Sequence, residues 1–92
     1  MAKFEKNSRV RFQSLPRVVV ATDQKGKKYA LSPEMVLECA ERFDVSTCVI
    51  DVVPNSGREQ EYLVQFVGDG PGDGIIVYRA TFGEGCLTGV SH

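Results

Sequence analysis

The amino-acid sequence predicts an α+β fold: a mostly antiparallel sheet of five to six strands with one helix packed on one face, in the order β-β-β-α-β-β-β. Three observations lead there. Short β-branched or alternating stretches recur between turn residues along most of the chain. Only one segment, opened by Ser32, Pro33 and Glu34, combines a helix start with helical periodicity. The connections between the later strand candidates are short, which favours hairpins over crossovers. Such an order fits a β-grasp-like sheet or a small curved barrel with the helix inserted between hairpins.

Residues 10–15 begin with Val10 and Phe12 on one face and Arg9, Arg11 and Gln13 on the other, the period of a half-buried strand, until Pro16 interrupts it. Residues 17–22 are dense in β-branched side chains and predict a second strand. Asp23, Gln24, Lys25, Gly26 and Lys27 supply a turn in which Gly26 can take positive φ, and residues 28–31 complete a hairpin. Ser32 then offers an N-cap hydroxyl, Pro33 a first-turn residue that needs no donor, and Glu34 an acid against the helix dipole. The helix is expected to run to about Phe43. Its core arc holds Met35, Val36, Cys39, Ala40 and Phe43, opposite Glu34, Glu38, Glu41 and Arg42, with Leu37 at the boundary and partly exposed.

Residues 47–53 are almost wholly apolar and predict a central strand. In residues 61–67, Tyr62, Val64 and Phe66 share a face. In residues 75–82, Ile76, Tyr78, Ala80 and Phe82 share one, with Arg79 and Thr81 opposite. Turn residues at 54–58 and 68–74 connect these strands.

A chain of 92 residues that is 42% hydrophobic and 25% charged has the balance of a globular domain and room for one core. Residues 1–92 are read as that domain, frayed at 1–8 and 90–92. The longest apolar runs fall far short of the roughly 20 residues a bilayer span requires, and no secretory signal pattern opens the sequence. The expectation is a soluble cytoplasmic protein with no membrane partner. Cys39, Cys48 and Cys86 lack paired spacing, so free and mostly buried thiols are expected rather than a disulfide framework. Together with His92 they have the ligand types of a zinc site but not its close-paired spacing, and no metal or cofactor is predicted.

Glycine-rich segments point to no phosphate chemistry. Residues 68–74 repeat a G-x-G pattern, but a strand follows where a phosphate cradle needs a helix N-terminus, and Asp69 and Asp73 would repel the anion. Two acids alone also fall short of a calcium shell, which leaves a mobile hairpin tip. Residues 83–89 hold glycines in a dinucleotide-like spacing without the helix and strand that mechanism requires. For nucleophilic catalysis the only histidine is His92, and Cys86 beside Glu84 has an acidic neighbour that raises its pKa. Glu34, Glu38 and Glu41 lie on a solvated helix face that cannot separate their pKa values. No catalytic residue is assigned, and the reading is non-enzymatic.

Charge is the informative feature. The net charge of −1 hides eight cations against two acids in residues 1–28, and three cations against ten acids from Tyr29 onward. The candidate interaction residues are therefore Arg9, Arg11, Arg17, Lys25, Lys27 and Lys28 on the basic side, and Glu34, Glu38 and Glu41 on the acidic helix. Opposite patches on a small domain without catalytic equipment favour protein-protein contact of an adaptor or inhibitor type. The alternative is a nucleic-acid-binding module in which the basic strand and hairpin meet phosphates while Phe12 and Tyr29 stack bases. The two patches would also allow two copies to pair as a homodimer.

Overall fold

The computed structural model describes residues 3–43, 47–53 and 59–90. Seven strands and one helix follow in the order β1 (Val10–Phe12), β2 (Val19–Thr22), β3 (Lys28–Leu31), α1 (Pro33–Arg42), β4 (Cys48–Val53), β5 (Glu61–Asp69), β6 (Ile75–Gly83) and β7 (Leu87–Gly89), with a 3-10 turn at Glu84–Cys86 before the last. Five strands form one antiparallel sheet in the order β3-β2-β6-β5-β4, and β1 pairs with β7 beside it. This is the expected α+β architecture, one helix on a multi-stranded antiparallel sheet, consistent with a β-grasp-like topology.

The pleat sorts the side chains as the alternation requires. Val19 and Ala21 of β2, Tyr62, Val64 and Phe66 of β5, and Tyr78, Ala80 and Phe82 of β6 are buried in one core with Leu31 and Val36. Rings knit its centre: Phe66 stacks on Tyr78 at 5.3 Å, and Phe12 meets Phe66 and Phe82 at 5.8 and 4.8 Å. The opposite face of β6 turns Arg79 and Thr81 to solvent.

The helix begins where the sequence places it. Ser32 Oγ accepts from the Met35 amide, Pro33 occupies the first turn, and Phe43 caps the C-terminus by donating its amide to the Cys39 carbonyl. Only Val36 is fully buried, however, and Met35, expected on the core arc, is 49% exposed. A ten-residue helix resting chiefly on β5 presents a narrow stripe to the sheet, and Met35 lies at the margin of that stripe. Leu37 is exposed, as its boundary position predicts.

Three further differences have physical causes. β4, predicted to be central, is an edge strand of the five-stranded sheet. Its free edge is covered instead by the N-terminal segment: the Asn7 and Val10 amides donate to the Val49 and Thr47 carbonyls, and the Val49 amide donates to Ser8. An edge covered this way accounts for an apolar run. That same segment, expected to fray over residues 1–8, is held from residue 3: the Tyr62 hydroxyl accepts from the Lys3 and Phe4 amides, and Phe4 is buried against the Tyr62 ring. β7 was not foreseen, because three residues with one buried leucine carry no readable period. The expected turn at residues 54–58 and His92 lie outside the described residues.

Both predicted turns close as hairpins. Gly26 takes φ +86° in the β2–β3 turn, which Asp23 organises by accepting from the Lys25 and Lys27 amides. At the β5–β6 tip, Gly72 takes φ +65° and the Gly70 amide donates to the Gly74 carbonyl.

Candidate interaction site

Sheet order decides which charged residues can act together. Lys25, Lys27 and Lys28 belong to the β2–β3 hairpin at one edge, whereas Arg9 bridges Cys48 of β4 at the other, so the basic first third does not form one continuous strip along the sheet. Arg17 is exposed ahead of β2. Neither aromatic ring proposed for base stacking presents a clear face. Phe12 packs into the core on Phe66 and Phe82. Tyr29 lies edge-on to Tyr78, sits under the Lys27 ammonium at 5.3 Å, and donates its hydroxyl to Asp23.

What the fold does bring together is Arg11 from the basic strand and Glu41 from the acidic helix. β1 runs past α1, and between them opens a groove of about 410 Å³ lined by Arg11, Phe12, Leu37, Ala40 and Glu41. The floor is apolar: the outer part of the Phe12 ring, Ala40, and the exposed Leu37 side chain. A cation stands on one wall and an anion on the other. Glu34 and Glu38 are exposed elsewhere on the helix, Glu38 beside a smaller hollow of about 180 Å³ bounded by Met35, Cys39, Arg42, Asp69 and Tyr78. An Arg42–Asp69 ion pair closes that hollow by tying the helix C-terminus to the end of β5.

A third depression, about 440 Å³ and lined by Lys3, Gln13, Glu59, Gln60, Glu84 and Gly85, is comparable in size but differs in kind. Its polar groups already hold the fold together. Glu59 accepts from the Gly85 amide, Gln13 donates to the Gly85 carbonyl, Gln60 donates to the Val53 carbonyl, and Glu84 accepts from the Tyr62 hydroxyl.

The chemistry of the remaining reactive side chains is subdued. Cys39, Cys48 and Cys86 are free and half-buried, on α1, on β4 and in the 3-10 turn respectively. Burial pushes the Cys39 thiol up, helped by the nearby Asp69 and Glu38 charges. Burial also raises Cys86, with the carboxylate of Glu59 adding to it, so the acidic neighbour expected from sequence is present but is a different residue. Raised thiols are weak nucleophiles at neutral pH. Among the described residues no three His, Cys, Asp or Glu side chains gather as metal ligands, and no helix is long and apolar enough to cross a membrane.

The fold defines a class, a small α+β domain with one helix on a multi-stranded antiparallel sheet. Comparison with protein-family models, with curated proteins and with solved structures finds no match.

Proposed function

We propose that this protein is a non-enzymatic binding module of the adaptor or inhibitor type, and that it receives a segment of another protein in the groove between β1 and α1. The observation that supports this reading is the lining itself: an apolar floor of Phe12, Leu37 and Ala40 between Arg11 and Glu41. Grooves with apolar centres and charged rims bury an anchor side chain and use the rim for orientation. The fitting segment therefore carries one or two apolar anchors, with an acidic residue on the Arg11 side and a basic residue on the Glu41 side. Opposite charges on the two walls fix its direction, because the reversed segment would meet like charge at both ends.

The test is selection of a random peptide library on the immobilised full chain. Enrichment of apolar anchors bracketed by opposite charges is expected, with binding lost in Leu37→Asp and with the bracketing charges inverted in selections on Arg11→Glu/Glu41→Lys. A motif indifferent to all three substitutions refutes the groove as the site. Oligonucleotide binding that weakens steeply with salt and vanishes in Arg9→Ala/Arg11→Ala/Lys27→Ala would refute the protein-contact reading in favour of nucleic acid.

A further inference from the structure

The two edges of the five-stranded sheet differ. Beyond β4 the N-terminal segment supplies backbone partners, whereas β3 pairs with β2 alone, and among the described residues no backbone hydrogen bond reaches its other side. In the β2–β3 hairpin the Asp23 amide donates to the Lys27 carbonyl, so the β3 positions bonded to β2 alternate from there, at Tyr29 and Leu31. The amides and carbonyls of Lys28 and Ala30 therefore point off the sheet. Their side chains are exposed on the outer face, across the strand from the half-buried Tyr29 and the buried Leu31. An edge of this kind is a template for one more strand.

Charge selects what that strand carries. Lys25, Lys27 and Lys28 are exposed along the hairpin, and Arg79 is exposed two strands in, in register with Lys28 through Thr22. Asp23, the acid of the turn, is committed there, accepting from the Lys25 and Lys27 amides and the Tyr29 hydroxyl. The outward acids Asp51 and Glu61 lie on β4 and β5, toward the opposite edge, and Glu34 lies past the other end of β3, in the first turn of α1. A second copy would bring the same lysines to the same edge and be repelled. A nucleic acid has no alternating amides and carbonyls to offer a strand edge, and the Tyr29 ring is covered by the Lys27 ammonium at 5.3 Å. An acidic polypeptide satisfies both the edge and its charge.

We propose that the β3 edge is a strand-addition site, separate from the β1–α1 groove, where an acidic extended segment of another protein continues the sheet antiparallel to β3. Antiparallel pairing matches the rest of the sheet and is the more stable kind. Residues facing each other across a ladder share a face. The residue opposite Ala30 therefore lies on the outer face near Val20, which is 61% exposed and pairs with Ala30, and it is apolar. The residue opposite Lys28 is acidic, and acids continue past it toward Lys27 and Lys25. Running antiparallel, the segment reads apolar residue, any residue, then a short run of acids; the reverse order would carry those acids toward Glu34. The four residues of β3 span only about 13 Å, so a dissociation constant of roughly tens of micromolar at low salt is expected.

Fluorescence anisotropy of the labelled peptide Thr-Ile-Thr-Glu-Asp-Asp, titrated with the full chain, tests this. Binding should weaken about tenfold between low salt and about 0.5 M salt, and about tenfold or more at low salt in Lys27→Glu/Lys28→Glu. Backbone pairing has its own readout. N-methylating the isoleucine amide, which donates to the Ala30 carbonyl, should abolish binding, whereas N-methylating the threonine that follows, whose amide points away from β3, should change it less than about twofold. Ala30→Pro, which removes the outward amide but no bond to β2, should abolish binding with unchanged circular dichroism. No binding at low salt overturns the proposal, as does equal sensitivity to the two methylations or equal binding of the reversed sequence. A chain that self-associates in sedimentation equilibrium and is made monomeric by Ala30→Pro assigns the edge to a second copy instead, and overturns it too. Lys27, Lys28 and Ala30 are absent from the β1–α1 groove, so Leu37→Asp and Arg11→Glu/Glu41→Lys should leave this binding unchanged. Loss of binding in either moves the peptide to the groove and overturns the edge, which keeps the two sites separately testable.

Discussion

Gly68 lies where sheet and helix approach closely, and replacing it with alanine tests the packing between them. A β-carbon built on Gly68 would lie 2.7 Å from Cys39 Sγ on α1 and 3.0 Å from a ring carbon of Tyr78 on β6. The Tyr78 ring is stacked against Phe66 and cannot simply swing aside, and moving Cys39 Sγ away requires a change of rotamer on the helix. Overpacking of this kind costs about 1–3 kcal/mol. Alanine also restricts the unfolded chain, which returns about 0.4–1 kcal/mol, since Gly68 does not occupy the positive-φ region. The net expectation for Gly68→Ala is a loss of roughly 1–2 kcal/mol, and at about 4–8 °C per kcal/mol for a domain of this size the melting midpoint falls by roughly 5–15 °C. Urea denaturation of the wild type, Gly68→Ala, Cys39→Ala and the double variant gives the cycle. Cys39→Ala alone should cost about 1 kcal/mol of lost thiol packing, and it removes the nearer clash, so the double variant should be more stable than the sum of the single effects by about 1 kcal/mol. A neutral Gly68→Ala, or an additive cycle, would refute the claim that this glycine sets the helix-sheet distance.

Two other substitutions probe how the ends of the sheet are held. Tyr62→Phe removes the hydroxyl that accepts from the Lys3 and Phe4 amides and donates to Glu84, leaving a buried amide unsatisfied at a cost of about 1–3 kcal/mol. Hydrogen exchange should quicken at the amides of Asn7 and Val49, which join the N-terminal segment to β4, while the β5–β6 amides keep their protection; unchanged exchange at Asn7 would mean that Tyr62 does not anchor that segment. Asp23 answers to pH: desolvation raises its pKa, but hydrogen bonds from the Lys27 amide, the Tyr29 hydroxyl and the Lys25 amide outweigh that and hold it below its ordinary 3.8. A depressed carboxyl stabilises the fold above its unfolded pKa and loses that contribution as pH falls through the folded value. Asp23→Ala should therefore melt below the wild type at pH 7, with the gap closing under acid conditions below about pH 3.8; a gap constant across that range would contradict the turn's dependence on the carboxylate.

Local signals in the sequence were legible where a single segment contains its own cause. The α1 start is written in Ser32, Pro33 and Glu34, the β2–β3 turn in Asp23 and Gly26, and the inward faces of β5 and β6 in strict alternation. Signals that depend on distant partners were not. The apolar run of β4 reads as a central strand, because sequence cannot tell a neighbouring strand from an N-terminal segment that covers the edge. Met35 satisfies helical periodicity yet is exposed, because how much of an arc is buried depends on how wide a surface the sheet offers. Acidic influence on Cys86 was legible, but its source moved from the adjacent Glu84 to Glu59, which is remote in sequence and drawn in by the Gly85 amide.

The candidate site illustrates the same division. Charge asymmetry along the chain named Arg11 and Glu41 separately, as members of opposite patches, and their shared groove follows from β1 passing beside α1. Basic residues that looked contiguous in sequence were divided by strand order, with Arg9 at the β4 edge and Lys25, Lys27 and Lys28 at the far edge. The aromatics between them were drawn into packing that a small domain cannot forgo, since a chain of this size has few large side chains with which to fill its core. Phe12 illustrates the economy: its inner surface completes the contact between Phe66 and Phe82, and its outer part floors the groove. The proposed recognition groove is accordingly built on the rim of the core, where a residue needed for folding also meets the solvent.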